Sequence, residues 1–141
     1  MNLNYSPDQQ PSAQAPAAYA GWTLPEALQE LPAELAAGLV GQLIEPFQTD
    51  TARRLGRVRR AIGDANLAAL HAEIHSLKGS AGQAGAHRMA SICQEMESAI
   101  GDLPASQLLD CVSRLELDCA AAVLAMTAYS AAAQMAAGER D

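Results

Sequence analysis

His71-Ala72-Glu73-Ile74-His75-Ser76-Leu77-Lys78-Gly79-Ser80-Ala81-Gly82-Gln83-Ala84-Gly85-Ala86 is the stretch that decides how the chain reads. Leading into it and through it, Leu67, Leu70, Ile74, Leu77, Ala81 and Ala84 recur at steps of three and four. That is the stripe of a helix lying on a core. His75, Lys78, Gly79 and Gly82 stand at i, i+3, i+4 and i+7, so they share a second face, roughly opposite the first. This face holds a histidine, a cation and two residues with no side chain.

Glycine costs a helix interior about 0.5–1 kcal/mol relative to alanine. Two glycines within a turn or two of a histidine therefore call for a reason, and close approach of another protein's backbone beside His75 supplies one. A lysine about 5–6 Å away on the same face offsets negative charge arriving at the imidazole, which is a nucleophile as well as a base. Lys78 is the only lysine in the chain, which otherwise uses arginine. Together these features point to a histidine that accepts a phosphoryl group from a docked protein.

The run His75-Ser76-Leu77-Lys78-Gly79-Ser80, followed by Gly85-Ala86, Cys93 and Met96-Glu97, resembles the signature of histidine-containing phosphotransfer (HPt) domains. Upstream, Leu43-Ile44, Phe47, Leu55, Val58, Ala61, Asp64, Leu67 and Leu70 resemble the same family. The resemblance covers roughly residues 30 to 125. It implies a four-helix bundle that relays phosphate between aspartates of response-regulator receiver domains. It assigns His75 as phosphoacceptor and Lys78 as stabiliser of the phosphoryl charge. Gly79, Ser80, Gly82 and His71 are expected on the face where the partner docks. The implied partners are a receiver domain and a hybrid sensor histidine kinase. No intrinsic cofactor is expected, and the Mg²⁺ of the transfer would be held by the receiver's carboxylates. The alternative is a silent helical module that binds a receiver or kinase and inhibits it.

The rest of the chain fits an all-α reading. Thr23-Leu24-Pro25-Glu26 resembles a helix start with Thr23 as N-cap, and predicts a short extra helix over about 25–31. Leu35, Leu39, Val40, Leu43, Ile44 and Phe47 follow at helical spacing, with Pro46 expected to kink or end that helix. Thr49-Asp50 can cap a further helix to about Ile62, so one bent helix or two are both open over 33–62. Gly63-Asp64 predicts a turn, and Asp64 or Asn66 a cap for the central helix. Gly85 is expected to stop that helix in the left-handed conformation. Another helix over about 86–101 turns Met89, Ile92, Cys93, Met96 and Ile100 inward. In the last, Leu108, Val112, Leu115, Cys119, Ala122 and Met126 repeat over nearly three heptads, as a bundle seam requires.

The predicted architecture is a four-helix up-down bundle over residues 23–135, with a disordered tail over 1–22 and a frayed end over 136–141. The tail is rich in Pro, Gln, Ala and Ser and lacks periodicity. Its large apolar groups are Tyr5, Tyr19 and Trp22, of which Trp22 is expected to dock on the bundle.

Composition narrows the function classes. A length of 141 residues suits one domain. Half the residues are apolar but only 4% are aromatic, which favours close-packed alanine-rich helices. The net charge of −7 argues against a nucleic-acid binder. Three cysteines suggest free core thiols in a reducing cytoplasm. No basic start with an apolar run opens the chain, and no membrane span is expected. The expected species is a monomer.

Competing motifs are incomplete. His71 and His75 stand at i, i+4, but Glu73 does not follow His71 directly as a zincin helix needs, so no metal site is expected. Ser80 lacks a nucleophile elbow. Lys78-Gly79-Ser80 lacks the glycine-rich run of a phosphate loop, so the chain is not expected to be a kinase. Arg53, Arg54, Arg57, Arg59 and Arg60 read first as a solvated face. His87 reads as a solvated residue.

Overall fold

A computed structural model describes residues 21–140. Among the described residues there are four α-helices: α1 (Ala33–Gly63), α2 (Leu67–Ala84), α3 (His87–Ala99) and α4 (Ala105–Arg140). The fold is all-α, and the described residues contain no strand. Short connections force successive helices antiparallel. The two long helices, α1 and α4, pack along each other, while α2 and α3 pair and close the bundle.

The predicted extra helix is a single 3-10 turn, Glu26–Leu28. Pro25, not Thr23, precedes it, and no side chain caps it. Thr23 is instead drawn into the α2–α3 corner, where its N–H donates to the Gly85 carbonyl at 3.0 Å. Gly21 and Trp22, assigned to the tail from sequence, belong to this strap. The rest of the expected tail, with Tyr5 and Tyr19, lies outside the described residues. Trp22 is completely buried. Its indole Nε1 donates to the Ala84 carbonyl at 2.8 Å, and its ring meets Tyr129 of α4 edge-on with centroids 5.7 Å apart. One aromatic residue thus ties the strap to the end of α2 and to α4.

Residues 33–63 form one helix, with Pro46 inside it and no cap at Thr49-Asp50. Proline removes a hydrogen bond and crowds the carbonyl four residues back, at about 3 kcal/mol. Its neighbours offset that cost. Val40, Phe47, Leu55 and Val58 are buried, and each such side chain contributes about 1.5–3 kcal/mol. Pro46 itself faces solvent. Asp50 pairs with Arg54 one turn on, at 2.8 Å. Leu35 and Leu43, expected among the inward positions, are largely exposed.

Both ends of α2 follow from identifiable residues. Asn66 caps it, its side chain accepting from the Ala69 N–H at 3.1 Å. Gly85 ends it with φ of 87°. The Gly85 N–H bonds to the Gly82 carbonyl and the Ala86 N–H to the Ala81 carbonyl, which is the Schellman pattern. A Cβ on Gly85 would collide with the Thr23 carbonyl, so glycine is required there both by φ and by the strap. The same pattern closes α1, with Ala65 N–H to Ile62 and Asn66 N–H to Ala61. Its left-handed residue is Ala65, at φ 52°, just past the Gly63-Asp64 pair at which the sequence predicts a turn.

Leu70, Ile74, Leu77 and Ala81 of α2 enter the core, as do Met89, Ile92, Cys93 and Met96 of α3. All six seam positions of α4, from Leu108 to Met126, are buried with them. Ile100 is only partly buried. Leu67 is half exposed, because it is the first residue of α2. The helix α4 extends to Arg140, past the point where fraying is expected. Over Ala105–Ala136 it is long and apolar enough to cross a membrane by length and composition alone. Its seam is spent on the bundle core.

Candidate functional site

With Ile74, Leu77 and Ala81 locked into the core, α2 must turn His75, Gly79 and Gly82 outward. His75 is 66% exposed. The neighbouring helix α3 is held in register by buried Cys93 and Met96. That register sets Glu97 against the outward face of α2, and Glu97 is only 14% exposed.

Both Glu97 oxygens are used. Oε2 lies 2.7 Å from Nδ1 of His75, and Oε1 accepts from Nζ of Lys78 at 2.6 Å. Lys78 also donates to Oε1 of Gln94 at 3.1 Å, and Gln94 donates to the Ser98 hydroxyl at 3.2 Å. His71 stacks one turn back on His75, with centroids 6.3 Å apart and planes 6° from parallel. Its Nε2 is 3.9 Å from Oε2 of Glu97.

The hydrogen bond from Lys78 holds the Glu97 carboxyl below its ordinary value, and the bond to His75 adds to this. Glu97 is therefore a carboxylate at neutral pH, and a carboxylate only accepts hydrogen bonds. The proton of a neutral His75 then sits on Nδ1, leaving Nε2 as the ring nitrogen with a lone pair. An outward imidazole held by one carboxylate, with its lone pair on Nε2, is the product of this geometry.

Gly79 and Gly82 line an open groove with Lys78, Gln83, Ala90 and the 3-10 turn residues Glu26 and Ala27. A Cβ at either glycine would meet nothing within 4 Å, so packing among the described residues does not demand them. Ser80 stands apart. It lines a different groove, with Leu43, Pro46, Phe47 and Asp50 of α1. Among the proposed site residues, the structure thus gathers His75, Lys78 and His71 around Glu97, sets Gly79 and Gly82 alongside, and turns Ser80 toward α1.

Glu97 has no assigned role in the sequence reading. It is 22 residues from His75, on another helix, so no helical spacing connects them. The motif resemblance included Glu97 and was the only available signal.

Other candidate groups are absorbed by the scaffold. Arg57 pairs with Glu73 at 2.7 Å, and Arg59 with Glu116 at 2.6 Å, so these arginines staple α1 to α2 and α4. Burial pushes the Cys93 thiol up to about 12, helped by the nearby Glu97 charge. Such a thiol is inert at neutral pH. Burial also raises Cys119. Among the described residues, no three His, Cys, Asp or Glu side chains are grouped to hold a metal ion. His87 opens α3 as an exposed residue.

Comparison with known families settles the class. The Hpt domain family matches residues 42–135, which takes in the larger part of α1, all of α2 and α3, and α4 to Met135. The chain belongs to the Hpt domain family. No curated protein and no solved structure matched it. Hpt domains are phosphotransfer modules of two-component signalling, phosphocarriers rather than kinases, and they engage receiver domains and kinases. The matched span runs further into α4 than the motif resemblance did. It does not include the Trp22 strap.

Proposed function

We propose that this Hpt domain accepts a phosphoryl group on Nε2 of His75 from the phospho-aspartate of a receiver domain, and passes it to a response regulator in a multistep phosphorelay. The observation that carries the reading is an outward-facing imidazole whose Nδ1 is tied to a carboxylate, beside two glycines that no contact among the described residues requires.

The receiver docks over α2, with Gly79 and Gly82 letting its backbone come close. Its phospho-aspartate lies in line with Nε2. The Nε2 lone pair forms the N–P bond as the acyl O–P bond breaks and the aspartate leaves as a carboxylate. The proton already on Nδ1 stays there, and the adjacent Glu97 carboxylate stabilises the positive charge that builds on the ring. Lys78 keeps Glu97 ionised and adds positive potential where phosphoryl charge arrives. Transfer of this kind leans on positioning and charge more than on covalent chemistry by the protein. The Mg²⁺ of such a transfer would be held by the receiver's carboxylates and would neutralise phosphoryl charge there. A hybrid sensor kinase is the upstream source, and the exchange takes place in the cytoplasm. Apolar contacts around the motif, rather than the net charge of −7, supply most of the docking energy.

The test is transfer of labelled phosphate from a phosphorylated receiver to the full chain, beside His75→Gln. Label on the wild type alone, lost in acid and kept in base, supports the reading. Binding without label from several receivers would make the domain an inhibitory module instead.

A further inference from the structure

The side of α4 that faces away from the core carries its own apolar seam. Leu117, Ala121, Leu124, Ala128, Ala131 and Met135 recur at steps of 4, 3, 4, 3 and 4. Leu117 and Leu124 are each 71% exposed and Met135 68%. No charged residue occurs from Cys119 to Gly138. The outer face of a helix on a bundle in water ordinarily carries charge, and here that charge is missing over about 27 Å of helix.

We propose that this face is a homodimer interface, with two copies packing their α4 helices antiparallel. The spacing reads the same in both directions. A two-fold axis beside Met126 sets Leu117 opposite Met135 of the second copy, Leu124 opposite Ala128 and Ala121 opposite Ala131. Leu124 meets a small partner in Ala128, Ala121 and Ala131 let the backbones approach, and Leu117 packs on Met135 at each end, so the same patch serves on both copies, as an isologous contact needs.

The charges at its edge favour a second copy over a lipid surface. Asp110, Glu116 and Asp118 lie at or before the start of the seam, against one Arg114. Glu116 is paired with Arg59, and Asp118 lies 3.9 Å from Arg88. A helix that lies on an anionic bilayer carries Lys and Arg beside its apolar face, and this one does not.

The area sets the strength. A strip this long and about 10 Å wide covers roughly 270 Å² per copy, or about 540 Å² in total, below the range of stable specific interfaces and in that of weak, transient ones. The dimer is therefore weak and concentration-dependent. Since α4 packs on α1 and α3, with α2 across the bundle from it, pairing leaves both His75 sites open.

Sedimentation equilibrium of the full chain, from about 1 µM to about 500 µM, tests this across the range of weak association. The mass should climb from 14.7 kDa toward twice that value. Leu117→Glu with Leu124→Glu should stay at monomer mass at all concentrations, with unchanged helical circular dichroism, because both positions face solvent. A wild type that stays monomeric at the highest concentration would overturn the proposal. So would a dimer that survives the double substitution, or flotation of the wild type with phosphatidylserine vesicles in place of self-association.

Discussion

Nδ1 of His75 lies 2.7 Å from Oε2 of Glu97, a contact that joins the outward face of α2 to α3 and assigns each nitrogen of the imidazole its part. Nδ1 is committed to holding a proton against a carboxylate. Nε2 is committed to the lone pair. Lys78, 2.6 Å from the other oxygen of Glu97, keeps that carboxylate charged.

Glu97→Ala should therefore change the tautomer as well as the rate. In the wild type, long-range ¹H–¹⁵N spectra should show a neutral His75 with its proton on Nδ1. In Glu97→Ala the ring should shift toward the mixed population of a free imidazole. Phosphoryl transfer should slow by about 10–100-fold, the scale of losing a group that orients a reacting ligand. Unchanged tautomer and rate would leave Glu97 as a structural ion pair only.

Glu97 also predicts a pH dependence of stability. Its folded pKa is lowered from an ordinary value near 4.5. The stability it contributes is therefore fully present above that value and is lost as pH falls through the lowered one. Chemical denaturation at several pH values, from neutrality to below pH 4.5, should show a steeper loss in the wild type than in Glu97→Gln. Parallel curves would mean that Glu97 does not bind protons differently in the two states.

At Gly79 folding and function should separate. A Cβ there meets nothing within 4 Å, so Gly79→Ala should stabilise the bundle by about 0.5–1 kcal/mol through helix propensity. Gly79→Gln should leave the helix folded and slow transfer by crowding the docked receiver. Thermal melts and transfer rates check the two halves. Normal transfer by Gly79→Gln would remove close approach as the reason for the glycines.

Ala65 carries the left-handed turn between α1 and α2 at φ 52°, a conformation that costs a residue with a Cβ about 1–2 kcal/mol. Ala65→Gly should relieve most of that and return part of it as unfolded-chain entropy. A net gain of about 0.5–1 kcal/mol, or about 2–4 °C in Tm, is expected. Loss of stability would mean that the strain is compensated at that corner.

How much of this was legible follows from what periodicity measures. The α4 seam, from Leu108 to Met126, was read correctly because six positions at steps of four and three leave one face to bury. Gly85, and Asn66 as one of two candidates beside Asp64, are readable because caps have local chemistry. Leu35, Leu43 and Leu67 were misplaced because spacing defines a stripe without saying which neighbour covers each end of it. Pro46 lies within a single helix because long-range packing of α1 on α4 outweighs a local penalty. The left-handed corner fell to Ala65 rather than to the nearby glycine, since hydrogen bonds from Ala65 and Asn66 back to α1 set its position. Of the site, His75, Lys78 and the glycines were visible as one face of one helix. Glu97 was not, because its partnership exists only once α3 is laid against α2.

The most direct test of the central claim is where the phosphorus sits. The uniformly ¹⁵N-labelled full chain should be phosphorylated from a receiver domain and its histidine rings observed by ³¹P and long-range ¹H–¹⁵N spectroscopy. A single phosphorus bonded to Nε2 of His75, with the Nδ1 proton retained, is the predicted result. Phosphorus on Nδ1 of His75, on His71 or His87, or on no histidine while the receiver still binds, would contradict it.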